Sequence, residues 1–83
     1  MNRKLLKIAN ELNELILHLD IEAWCRFTKH EGGSVSVELT HFDDRYRHEN
    51  KSLMIFSNRS DEEVQKVYEL MKRVIAGEAL IGE

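Results

Sequence analysis

Apolar and polar positions alternate with period two over two neighbouring stretches. Ile21, Ala23, Cys25 and Phe27 alternate with Glu22, Trp24, Arg26 and Thr28. Val35, Val37 and Leu39 alternate with Ser36, Glu38 and Thr40. This pattern predicts two half-buried strands, with Lys29-His30-Glu31-Gly32-Gly33-Ser34 between them. Residues directly opposite in a hairpin share a face, so parity restricts the register. A four-residue loop would oppose Phe27 to Ser36 and mix the faces. A five-residue loop opposes Phe27 to Val37 and Arg26 to Glu38. A three-residue loop opposes Phe27 to Val35 and Cys25 to Val37. The three-residue loop is the expected one, because that turn wants a left-handed glycine third, where Gly32 stands.

The pattern changes on either side of this hairpin. Across residues 3–19, Leu5, Ile8, Leu12, Leu15 or Ile16, and Leu19 recur at helical spacing, and Leu6, Ala9 and Leu17 widen the stripe. Arg3 and Lys4 oppose the helix dipole. With Lys7 they are the three basic residues that a membrane-surface reading of this helix rests on; a core-facing helix is the simpler expectation. After Phe42 comes a charged connection, DDRYRHENK. Residues 51–57 then predict a third strand with Leu53 and Ile55 on the helix-covered side and Met54 and Phe56 on the other. Ser60-Asp61-Glu62-Glu63 is a capping-box sequence. Val64, Val67, Tyr68, Met71, Val74 and Ile75 follow as a second helical stripe, and Gly77 is placed to end it. The tail 78–83 contains Ala79, Leu80 and Ile81 and is expected to fold back or to meet a partner.

The predicted class is therefore α+β, a single domain 1–83 of order α-β-β-β-α. The strands form a three-stranded antiparallel meander with both helices packed on one face. The other face is expected to stay open. It would carry Trp24, Arg26, Thr28, Ser36, Glu38, Thr40, Phe42, Met54 and Phe56. Three aromatics and a methionine exceed what a solvated face needs. Trp24, Arg26, Phe42, Met54 and Phe56 are thus the candidate protein-binding residues, for a partner protein or a second copy.

Composition narrows the rest. With 83 residues and a net charge of −3, the chain has no general pull toward nucleic acid or anionic membrane. No stretch approaches the roughly 20 apolar residues of a membrane span. The basic start is soon interrupted by acidic and polar residues, so no signal peptide is expected. One cysteine excludes an internal disulfide, and a reducing cytoplasm is the default expectation. No phosphate loop, nucleophile elbow or dinucleotide fingerprint is present, and no cofactor or small-molecule substrate is implied. Cys25 falls on the aliphatic face, where a thiol is inert. Glu11 and Glu14 lie one turn apart but on a solvent side. His41, Asp43 and His48 offer ligand atoms without metal-site spacing. These features predict a non-enzymatic adaptor or inhibitor-like protein of the small accessory kind found in phages and bacteria.

Two alternatives involve nucleic acid. The connection holds Arg45, Tyr46, Arg47 and Lys51, where arginines could contact phosphates and the tyrosine could stack; Asp43, Asp44 and Glu49 neutralise it. The element order resembles that of double-stranded-RNA-binding domains. That family places lysines at the start of its second helix and typically carries a glycine-proline-histidine turn. Here the helix opens Ser60-Asp61-Glu62-Glu63 and the chain has no proline, so the activity is not carried over. In size and element order the chain is also similar to some anti-CRISPR proteins that present carboxylates in place of DNA. That reading requires Glu11, Glu14, Asp61, Glu62 and Glu63 to share a surface.

Overall fold

The computed structural model describes residues 2–82; Met1 and Glu83, the ends of the expected 1–83 domain and 78–83 tail, lie outside them. The order is α1 (Asn2–His18), β1 (Ala23–Lys29), β2 (Val35–Phe42), β3 (Asn50–Phe56) and α2 (Asp61–Ile75). The sheet is an antiparallel meander with β2 in the middle. α1 packs on β1 and β2, and α2 packs on β3 and β2. Both helices lie on one side, as the pattern of one-faced strands requires.

The core follows the parity of the strands. Val35, Val37 and Leu39 on β2 and Ile55 on β3 meet Leu5, Ile8, Ala9 and Leu12 of α1 and Val64, Tyr68, Met71, Val74 and Ile75 of α2. Leu53 packs against this cluster from β3, as expected. The helices run parallel: Lys4 reaches Asp61 at 3.6 Å, and seven residues further along each helix the Tyr68 hydroxyl donates to Glu11. Burial and that bond together push the Tyr68 hydroxyl up to about 12.

The hairpin register differs from the expected one. Phe27 opposes Val37, Cys25 opposes Leu39 and Arg26 opposes Glu38, so the loop is the five-residue His30–Ser34. The His30 N–H donates to Ser34 O at 2.8 Å and closes the loop. Gly32 and Gly33 both adopt positive φ, 91° and 95°, so the turn uses two left-handed residues, where a three-residue turn needs one. The register also joins Arg26 to Glu38 at 2.5 Å, a pair the shorter loop would have separated.

Helix α2 is closed at both ends. Ser60 Oγ accepts from the Glu63 N–H at 3.2 Å. At the other end Gly77, at φ 79°, donates to Val74 O and Glu78 donates to Arg73 O at 2.9 Å. These are the two bonds of a Schellman motif. The tail then folds back on the helix side: Ile81 is buried and its N–H donates to the Tyr46 hydroxyl at 2.9 Å.

Helix α1 corrects one expectation. Leu6 and Leu17, which widen the apolar stripe in the sequence, are both exposed, Leu17 by 74%. At 100° per residue the buried set Leu5, Ile8, Ala9 and Leu12 spans about 100°, and Leu17 falls about 80° beyond it.

Candidate protein-binding face

Strand pairing arranges the side chains of the open face in rows. Trp24 lies beside Thr40 and Ser52, Arg26 beside Glu38 and Met54, and Thr28 beside Ser36 and Phe56. Phe42 sits beyond Thr40, diagonal to Trp24. The two rings meet edge to face, with centroids 5.0 Å apart at 84°. Trp24 nevertheless stays 58% exposed. Met54 and Phe56 are exposed at the opposite corner, on β3. The aromatic set that the sequence offered as one patch is therefore two apolar corners.

Small polar groups occupy the band between the corners. Thr40 Oγ1 and Ser52 Oγ share a hydrogen bond at 2.8 Å, and Arg26 and Glu38 form the ion pair. Ser36 and Thr40, expected among the open side chains, are buried there because longer neighbours on the edge strands overhang the central one. His30, a residue of the hairpin loop, joins this face: its Nε2 meets Ser36 Oγ at 2.8 Å and its ring lies 6.5 Å from Phe56. The five-residue loop accounts for this. With Lys29 opposite Val35, His30 continues the parity of Thr28 onto the open face. The described part of the tail, residues 78–82, folds on the helix side, with Ile81 buried there.

The charged connection is tightly tied down. Asp43 accepts from the Arg45 backbone N–H at 2.9 Å and takes the guanidinium through Nε at 2.9 Å and Nη2 at 2.7 Å. Those bonds hold the Asp43 carboxyl well below the usual carboxylate range and raise Arg45. Tyr46, expected to be open for stacking, is 7% exposed; its hydroxyl meets His41 Nδ1 at 2.8 Å and accepts from Ile81. His41 is buried too, and that burial lowers its pKa, against a smaller upward pull from Asp43 and with a small further lowering from Arg45. Arg47, His48 and Lys51 remain exposed on this side. The connection thus serves first as a plug for the tail.

Four of the five carboxylates of the mimicry reading, all but Glu62, have local partners. Glu11 accepts from Tyr68, Asp61 faces Lys4, Glu14 faces His18 at 3.4 Å and Glu63 faces Arg59 at 3.8 Å. Burial pushes the Cys25 thiol up to about 11. A surface hollow of about 310 Å³ lies where Leu19–Glu22 meets His41–Asp43 and Val74–Gly77. Asp20, Glu22, Asp43 and Arg45 line it, and the last two are joined to each other. Among the described residues no group of three or more His, Cys, Asp or Glu is placed to hold a metal ion, and no helix is long and apolar enough to cross a membrane. Comparison with protein-family models, curated proteins and solved structures finds no match to this chain.

Proposed function

We propose that this protein is a non-enzymatic, cytoplasmic protein-binding domain that docks a partner on its uncovered sheet face. The observation that carries the reading is Trp24: a large ring buttressed edge-on by Phe42, beside Arg26, and still more than half exposed. Interface energy concentrates in tryptophan, tyrosine and arginine of this kind. Three strands at about 4.8 Å spacing and seven residues at about 3.3 Å rise give a face of roughly 14 by 23 Å. Its projected area, about 330 Å², is less than half the ~800 Å² that each side of a standard interface provides. The face therefore suits a narrow occupant. An amphipathic helix, about 10–12 Å across, fits between its edges and can set apolar side chains on both corners.

Helical peptides selected by display against the wild-type protein test this. Trp24→Ala and Phe56→Ala should each weaken their binding at least tenfold while far-UV circular dichroism stays unchanged. Peptides that bind both variants as tightly as wild type would remove the face from consideration. So would a Trp24→Ala variant that simply unfolds, since Trp24 would then belong to the core.

The nucleic-acid reading loses its stacking residue to the interior, and Arg45 is held by Asp43. Arg47 and Lys51 alone would give weak, salt-sensitive retention on immobilised duplex RNA at low salt. Retention that survives physiological salt would favour that reading over the sheet face.

A further inference from the structure

The flank of the molecule beside β1 carries features that the docking face does not use. The Phe42 N–H donates to Glu22 O at 3.0 Å, which fixes the sense of the β1–β2 ladder. In that ladder alternate residues turn their backbone groups inward, so Ala23, Cys25, Phe27 and Lys29 turn theirs to the free edge. Such an edge is a template for another strand. Above it lies the outer flank of α1. Lys4 and Glu11 face α2, on one side of the buried stripe. Leu6, Asn13 and Leu17 fall on the other side, over the β1 edge. Leu17 is the most exposed large apolar residue described, and Leu6 is exposed with it.

We propose that a second copy of this chain pairs here, β1 against β1 in antiparallel sense, so that two three-stranded sheets become one of six strands with the two α1 helices side by side. Three geometric conditions agree. α1 straddles β1 and β2, so strands spaced about 4.8 Å apart put the two α1 axes about 10 Å apart, an ordinary helix packing distance. α1 also runs back along β1: Asn2 Nδ2 donates to Gly33 O in the hairpin loop at 3.0 Å, and the helix ends beside the start of the strand. The midpoint between Leu6 and Leu17 lies about 14 Å from Asn2 at about 1.5 Å per residue, which is about four strand residues from Lys29, over Cys25. A two-fold axis at Cys25 therefore brings Leu6 of each copy against Leu17 of the other. The same axis sets each Trp24 opposite the other copy's Arg26, so that an aromatic and a cation, rather than two like charges, stand side by side, with Arg26 keeping its bond to Glu38. An axis at Arg26 would oppose two guanidiniums.

The area is sufficient. A strand of about 23 Å and a helix-plus-sheet wall of about 20 Å give roughly 460 Å² in projection per copy, about 900 Å² for two. The corrugation of side chains carries this past the ~1,000 Å² that a biological interface needs. The pairing also doubles the open face, with both tryptophans near its centre.

Sedimentation equilibrium of the whole protein tests the proposal. Wild type should dimerise, and Leu17→Glu should raise the dimer dissociation constant at least tenfold with circular dichroism unchanged. Leu6→Glu, on the same flank, should do likewise. Met54→Glu, on the β3 side of the open face, should leave dimerisation unaltered while abolishing peptide docking, which separates this proposal from the docking reading. A wild-type chain that stays monomeric up to millimolar concentration would overturn it. So would a dimer indifferent to both leucine substitutions, or one broken by Met54→Glu instead.

Discussion

The two helices share a sheet but are built differently. α2 has three acids in its first turn, a serine cap, Lys72 and Arg73 in its last turn and a completed glycine stop. Lys72 also lowers the Glu69 carboxyl by hydrogen bonding to it, with a smaller contribution from Gln65. α1 has no acid in its first turn, which holds Arg3 and Lys4, and it runs directly into the turn before β1. Local chemistry therefore specifies α2, whereas α1 depends on its burial against the sheet. A helix held by one face alone has its other flank free to evolve toward contact, and α1 is the helix with exposed leucines.

Substitutions can sharpen or break this contrast. The largest effect should come from Leu12→Ala, which empties a fully buried site under α1. A loss of about 2–5 kcal/mol is expected, enough to lower Tm by about 10 °C or more in chemical or thermal unfolding. Met71→Ala should cost a similar amount under α2. If Leu12→Ala cost less than about 1 kcal/mol, α1 would not be the burial-dependent helix described here.

Next comes the latch behind α2. Tyr46→Phe removes the oxygen that accepts from Ile81 and leaves a buried N–H unpaired, at about 1–3 kcal/mol by denaturant titration. The same cluster predicts an acid response. His41 Nδ1 meets the Tyr46 hydroxyl inside the protein, where burial favours the neutral imidazole. Because the native pKa of His41 is lowered, the unfolded chain takes up the proton first. Stability should therefore fall as pH drops below the ordinary histidine value of about 6.5, and continue falling until the native pKa is reached. Stability that is flat or rising from pH 7 to 5.5, after correction with His41→Gln, would contradict the burial of this ring. Asp43 adds to the loss at lower pH, since its carboxyl is held below its unfolded value.

Smaller effects come from the helix ends. Ser60→Ala should cost about 1 kcal/mol through the lost cap. Arg3→Glu should add about 0.3–1 kcal/mol at low salt by favouring the α1 dipole. An equal response of both helices to end chemistry would erase the distinction between them.

Much of the architecture could be read from the sequence because it rests on period and parity. The alternation in β1 and β2, the cap at Ser60 and the stop at Gly77 each have one physical reading. The hairpin register had two, since loops of three and five residues both keep the aliphatic face intact. The choice fell to paired glycines and to Arg26 opposite Glu38. Tyr46 reads as exposed because its neighbours are charged, yet two signs point inward: His41 shares the core parity of Leu39, and Ala79-Leu80-Ile81 needs a surface to cover. Leu17 reads as buried for the opposite reason: it is apolar and adjoins the stripe, although its helix angle carries it about 80° past the buried set. The division of the open face into two corners was not legible, because it depends on β3 register as well as on composition.

The chain has a single tryptophan, and it stands at the corner of the open sheet face beside the β1 edge. Its indole emission therefore needs no label to report on that corner. Light from a half-exposed ring should shift to shorter wavelength and become harder to quench with iodide when something settles over it. A second copy along the strand and a helix across the sheet would shield it from different sides.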